Sequence, residues 1–206
     1  MLSLVKRRRS SPSLNLSPRL SLFPHDLIPD LFPGKLMKLR ETILKEHSKA
    51  NCMRIVRWVG NDQKRFDELF YLFLNDEYRV VQRAGWPMTY CVEDHPEFIK
   101  KHFAKVLKAL EKPGAHDSIK RNTIRFLQYV DIPKKFHGQV MDVCFRYFSS
   151  PTEAIAIKAF SIAVLQKLAK LYPEIINEIK LVIKERWDYE SPAFKSRAKK
   201  ILKEFS

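Results

Sequence analysis

The stretch IAIKAFSIAVL, residues 155–165, decides the fold. All but Lys158 and Ser161 are apolar, so a helix through it is apolar around much of its circumference and belongs in an interior. It contains Lys158-Ala159, a basic residue followed at once by a small one, and that step recurs. Lys49-Ala50, Arg83-Ala84, Arg121-Asn122, Lys158-Ala159 and Arg197-Ala198 are separated by 34, 38, 37 and 39 residues. Each lies in an apolar segment of helical period, and after the first four a second helical segment follows. Recurrence of this length predicts stacked helical hairpins, each burying its apolar face against its neighbours. The small residue lets adjacent helices approach; Asn122 departs from the alanine rule. Such a stack presents a surface and needs no catalytic pocket.

Outward from that stretch, the chain from Met37 reads helix, short break, helix. Residues 40–59 form one or two helices ending near Gly60, and Asn61 or Asp62 is placed to cap the next, where Phe66, Leu69, Phe70, Phe73 and Leu74 recur at helical intervals. The following helix holds Pro87, which removes a backbone donor and should kink or split it. Asp94-His95-Pro96 is a stop and restart, with Phe98, Ile99, Phe103, Val106, Leu107 and Leu110 facing a core before Lys112-Pro113-Gly114 ends the helix. Asp117 or Ser118 opens the next pair, which turns at Ile132-Pro133. Ser150-Pro151-Thr152-Glu153 starts another, divided at Tyr172-Pro173. Ser191-Pro192 begins a last helix, too short for a hairpin and therefore a cap. The expectation is an all-α fold of about four hairpins plus a C-terminal helix over residues 37–206.

Composition agrees. The 206 residues support one domain, or one domain and a tail; 45% hydrophobic content suffices for a core, and 5 Gly against 38 Lys+Arg and 23 Asp+Glu favours helices. No apolar run approaches the ~18–20 residues of a membrane span, which points to a soluble protein with no membrane partner. Three isolated cysteines, Cys52, Cys91 and Cys144, form no CxxC, so reduced buried thiols in a cytoplasmic protein are expected.

Residues 1–36 differ: Lys6-Arg7-Arg8-Arg9, five prolines and scattered Ser and Leu. The prolines block a continuous helix, and the basic cluster precedes no apolar core of a secretory signal. Three readings stand: a transit peptide, which the Arg- and Ser-rich, acid-poor composition suits and the prolines do not; a disordered basic leader; or an over-extended start with translation beginning at Met37.

The order of elements and the prolines between paired helices (Pro96, Pro133, Pro173) resemble the HEAT and armadillo-like α-solenoids, over roughly residues 40–205. The chain is also similar to short bacterial HEAT-type proteins of undefined function. The resemblance implies a right-handed α-α superhelix whose second helices line the concave surface. An adenylosuccinate lyase label carried by some such proteins is rejected, because the Gly-rich Ser-Ser-x-Met-Pro-x-Lys loop is absent.

Charge gives the functional lead. The formal net charge is +15, of which residues 1–36 contribute six basic and two acidic groups, leaving +11 for residues 37–206. That favours a polyanionic partner, an acidic protein or a nucleic-acid backbone. Lys101, Lys105, Lys108 and Lys112 fall at i, i+4, i+7 and i+11, on one helix face. Lys134, Lys135 and Arg146 belong to the next second helix, and Lys180, Lys184 and Arg186 to the one after. If these helices line a groove, their basic stripes stand side by side; Tyr147 and Trp187 are available for stacking, although aromatics at helical spacing more often form core. The expected function is a non-enzymatic binding or scaffold module.

An alternative is a DNA-repair enzyme. The HEAT-like alkylpurine DNA glycosylases are more distantly similar, and that resemblance implies an aspartate and aromatics at the lesion; Trp58 and Asp62, at i and i+4, are the candidates. Gly60 between them should end the helix, and Asp62 is more simply a cap. The histidines, His95, His102, His116 and His137, form no metal-ligand spacing. HExxH, GxGxxG, GxSxG and GxxxxGK[ST] are absent, so no metal or cofactor is expected.

Overall fold

The computed structural model describes residues 37–206, and the reading of residues 1–36 as transit peptide, leader or over-extended start lies outside the described residues. Ten α-helices follow in order: α1 (Leu39–Lys45), α2 (Lys49–Val59), α3 (Gln63–Asn75), α4 (Tyr78–Asp94), α5 (Phe103–Glu111), α6 (Asp117–Leu127), α7 (His137–Ser149), α8 (Ile155–Ala169), α9 (Ile176–Arg186) and α10 (Pro192–Glu204). Among the described residues there is no strand.

Local chemistry sets the ends. Gly60 closes α2 at φ +46°, a left-handed backbone that a side chain would strain. Asp62 caps α3 by accepting from the backbone N–H groups of Lys64 and Arg65, and Ser191 caps α10 through Phe194 N–H. Residues 40–59 make two helices, one of the two arrangements expected, because Glu46 is extended and Ser48 starts α2 afresh. Three expectations shift. α4 runs unbroken through the buried Pro87, so there is no split. Residues 96–99 form turns, and α5 starts only after a 3₁₀ turn at Lys100–His102. His116, whose ring accepts from Ser118 N–H, caps α6 in place of Asp117 or Ser118.

The helices stack in two layers. In one, α2, α4, α6, α8 and α10 lie side by side, and these are the helices that carry the five basic-small steps. In the other, α3, α5, α7 and α9 follow one another. α3 packs along α4 and α7 along α8, so the tightest pairs are α3–α4 and α7–α8, framed one helix earlier than the sequence spacing implied. The core runs continuously between the layers, with Phe66, Phe73, Phe103, Phe126, Phe148 and Phe194 fully enclosed; each contributes about 1.5–3 kcal/mol of burial.

Side-chain bonds between elements repeat at the spacing of one unit. Arg40 binds Asp76 at 2.9 Å, Arg83 donates to Leu44 O at 2.6 Å, Ser118 to Val81 O at 3.3 Å, Tyr147 to Leu110 O at 3.0 Å, and Lys158 to Glu190 at 2.6 Å. Their partners lie 36, 39, 37, 37 and 32 residues apart. Each unit therefore grips the next, the nearest-neighbour order of a solenoid.

One of the basic-small steps, Arg121-Asn122, lies at a close approach between helices. Gly85, next to Ala84, faces Asn122 of α6 so closely that a Cβ there would lie 2.7 Å from Asn122 Cγ and 3.1 Å from Ser118 Oγ. Asn122 thus replaces alanine because its partner helix offers a glycine, and its amide donates to Ser118 O at 2.8 Å. The basic members are also used: Lys158 is almost fully buried on Glu190, which Arg186 binds as well at 3.2 Å.

Candidate functional site

The α3 and α5 helices diverge enough to leave a groove of about 750 Å³ between them. Its floor is apolar, made by Phe70, Leu74 and Ala109, and Tyr71 stands at its edge with 63% of its surface exposed. One wall is the stripe Lys101, Lys105, Lys108 and Lys112. The spacing works as the sequence predicts: Val106, Leu107 and Leu110 anchor α5 inside, which turns the four lysines to solvent. They span about 16 Å along the axis at 1.5 Å per residue.

One end of the groove is tied shut. Asp67 of α3 receives hydrogen bonds from Lys101 at 2.6 Å and Gln63 at 2.9 Å, and its Oδ1 lies 2.7 Å from His102 Nε2. The His102 ring stacks on Phe70 with centroids 4.1 Å apart. Burial lowers the His102 pKa, outweighing Asp67, so the ring is neutral at neutral pH. Burial acts to raise the Asp67 pKa, but hydrogen bonds from Lys101, His102 and Gln63 prevail and hold it below the ordinary carboxylate range. Lys105, Lys108 and Lys112 have no ion-pair partner among the described residues.

The other sequence candidates are placed differently. The 3₁₀ turns that precede α5, α7 and α9 begin at Lys100, Lys134 and Pro173, which aligns the three helices residue by residue. The positions held by Lys101 on the turn before α5, Lys105 and Lys108 on α5, and Lys112 at its C-cap are held by Lys135 on the turn before α7 and by Gln139, Asp142 and Arg146 on α7. In the next unit they are held by Glu174 on the turn before α9 and by Glu178, Leu181 and Glu185 on α9. The outward ridge therefore changes from four positive charges, through a mixed set, to three negative ones. Lys134 and Lys135 sit on the turn before α7, with Lys135 Nζ 5.0 Å from the Phe136 ring; Arg146 pairs with Asp142 at 3.8 Å. Lys180 is half-buried and donates to Phe205 O at 2.8 Å, while Lys184 is exposed beside the acidic ridge. The basic stripes are not brought side by side as a continuous track.

Asp62 and Trp58 do not share a helix face, since α2 ends between them. The Asp62 carboxylate is engaged as the α3 cap, and Arg65 both donates to Trp58 O at 2.7 Å and lies 5.4 Å from the Trp58 ring. Among the described residues no cluster of three or more His, Cys, Asp or Glu is arranged to hold a metal, and no helix is long and apolar enough to cross a membrane.

Sequence reasoning missed Asp67, His102 and Tyr71 as parts of the site. The available signal was the repeat itself: Asp67 and Lys101 are one unit apart, 34 residues, and so are neighbours in a stack.

A family model for a HEAT repeat domain matches residues 39–205. No curated protein and no solved structure matches the chain.

Proposed function

The chain belongs to the HEAT repeat domain family, and from that premise we propose that it is a non-enzymatic scaffold which docks an acidic protein segment in the groove between α3 and α5. The observation that carries this reading is the lining of one groove by four lysines, Lys101, Lys105, Lys108 and Lys112, beside an apolar floor. A segment lying along α5 meets all four and can set apolar side chains on Phe70 and Leu74. A nucleic-acid backbone crossing from unit to unit would leave the lysines, meet Asp142 on α7 and then Glu174, Glu178 and Glu185 on α9. The limited length of the stripe favours a short acidic segment over an extended polyanion.

Electrostatics here sets orientation and encounter rate, and the apolar floor supplies the contact that holds. The test is fluorescence anisotropy with two labelled probes, an acidic amphipathic peptide and a single-stranded oligonucleotide. The peptide should bind more tightly, more weakly as salt rises, and not at all to the variant Lys101→Glu/Lys105→Glu/Lys108→Glu. Tighter oligonucleotide binding, or peptide binding unchanged in that variant, overturns the proposal.

A further inference from the structure

The ordering of charge over α5, α7 and α9 has a property beyond the groove itself. The ridge Lys101, Lys105, Lys108, Lys112 and the ridge Glu174, Glu178, Leu181, Glu185 use the same offsets, i, i+4, i+7 and i+11, counted from the 3₁₀ turns that begin at Lys100 and Pro173. Between them lies α7, whose ridge of Lys135, Gln139, Asp142 and Arg146 carries both signs. α9 is the last helix of its layer, and Leu181 in the middle of its ridge is 54% exposed. A two-fold axis parallel to the helices reverses the order of the three ridges while keeping their levels. It sets α5 of one copy on α9 of the other, α7 on α7, and α9 on α5.

We infer that this face pairs with a second copy of the chain, so that Glu174, Glu178 and Glu185 of each copy cover Lys101, Lys105 and Lys112 of the other. Leu181 then faces Lys108, beside the apolar floor of the groove. The contact is isologous and closes at two copies, whereas a pairing of two unlike patches without such an axis would extend into a chain. Three parallel ridges about 16 Å long and about 10 Å apart give a footprint of roughly 500 Å² per partner, below the ~800 Å² of a standard interface. The net positive charge of both copies opposes the contact, as does α7, where Lys135, Asp142 and Arg146 each meet their own copy on the axis. The dimer is therefore concentration-dependent and salt-sensitive, and an acidic partner competes with it. The inference rests on the reading of α5 as a docking surface for acidic groups and names one such group in the chain itself.

Sedimentation velocity on the full chain at high concentration and low salt tests it. A dimer is expected, dissociating as salt rises. Lys101→Glu/Lys105→Glu/Lys112→Glu and Glu174→Lys/Glu178→Lys/Glu185→Lys should each be monomeric, since each places like charges on both halves of the contact. Mixed in equal amounts, the two variants should form a one-to-one dimer, because each then supplies what the other lacks. A monomeric wild type, unchanged mass in either variant, or failure of the mixture to pair overturns the inference. The Glu-to-Lys variant separates it from the functional reading: binding of the acidic peptide with no dimer in the wild type leaves the groove proposal standing and removes this one.

Discussion

Gly85→Ala probes a close approach between α4 and α6. The new Cβ would lie 2.7 Å from Asn122 Cγ and 3.1 Å from Ser118 Oγ, and closer still to the Asn122 amide nitrogen. Asn122 cannot swing away freely, because it is buried and donates to Ser118 O at 2.8 Å and Ser118 Oγ at 3.0 Å. Overpacking costs about 1–3 kcal/mol, and breaking a buried amide's hydrogen bonds costs about 1–3 kcal/mol. Replacing glycine in a helix interior returns about 1 kcal/mol. The balance is a loss of about 3 kcal/mol, or a Tm lower by about 6–12 °C for a chain of this size. Urea denaturation followed by circular dichroism measures it. The mechanism makes a sharper demand on the pair. Asn122→Ala alone should cost about 1 kcal/mol through its lost hydrogen bonds. Adding Gly85→Ala to it should cost little more, because the methyl group enters vacated space, giving a coupling of about 3 kcal/mol. Gly85→Ala as stable as wild type, or additive losses in the double variant, would refute a close contact between these helices.

The buried Lys158–Glu190 pair predicts that Lys158→Ala destabilises by about 3–5 kcal/mol, and that Lys158→Met with Glu190→Leu costs less than that single change, both read by urea denaturation. Stability should fall as pH drops below about 6.5: His102 and His116 have pKa values lowered by burial, so the unfolded chain takes up their protons first. His102→Gln should flatten part of that fall in denaturation curves between about pH 7 and pH 5, and an unaltered profile would contradict the burial of this ring. Asp67 contributes in the same direction at lower pH, its stabilisation being complete above the unfolded carboxylate range and lost as pH falls through its lowered value. Burial pushes the Cys52 thiol up to about 12 and raises Cys91 and Cys144 as well, so all three should resist a thiol reagent at mildly alkaline pH and react once urea unfolds the chain.

Much of the fold is legible in the sequence because the stack is made of repeated local decisions. The basic-small steps mark one layer, Gly60, Asp62, Tyr172-Pro173 and Ser191 mark helix ends, and the apolar segment around residues 155–165 marks the interior. What the steps do not reveal is which helices pair most tightly, since that depends on contacts between units and not on spacing along the chain. Asn122 reads as a weakened repeat until Gly85 is seen opposite it. Pro87 reads as a break, yet α4 continues, because losing one backbone hydrogen bond does not outweigh the burial of Val80, Val81, Ala84, Met88, Cys91 and Val92 on the same helix.

The α5 lysine stripe is equally legible, a single-helix pattern visible from i, i+4, i+7 and i+11. Its neighbours are not. Lys180 looks equivalent to the stripe until Phe205 O is found beside it, and Lys101 looks free until Asp67 is placed one unit away. The acidic ridge of α9 becomes visible only after the 3₁₀ turns align the helices, because isolated glutamates on an exposed helix face attract no notice in a sequence.

The account turns on one helix, α5, and the most direct measurement is titration calorimetry of the acidic amphipathic peptide against two variants matched in charge. In one, Lys101, Lys105 and Lys108 become Glu; in the other, Lys134, Lys135 and Lys184 do. The first should bind no peptide, and the second should bind it with an affinity near that of the wild type. Equal losses in both would show that only the total charge matters, and the groove between α3 and α5 would have no special role.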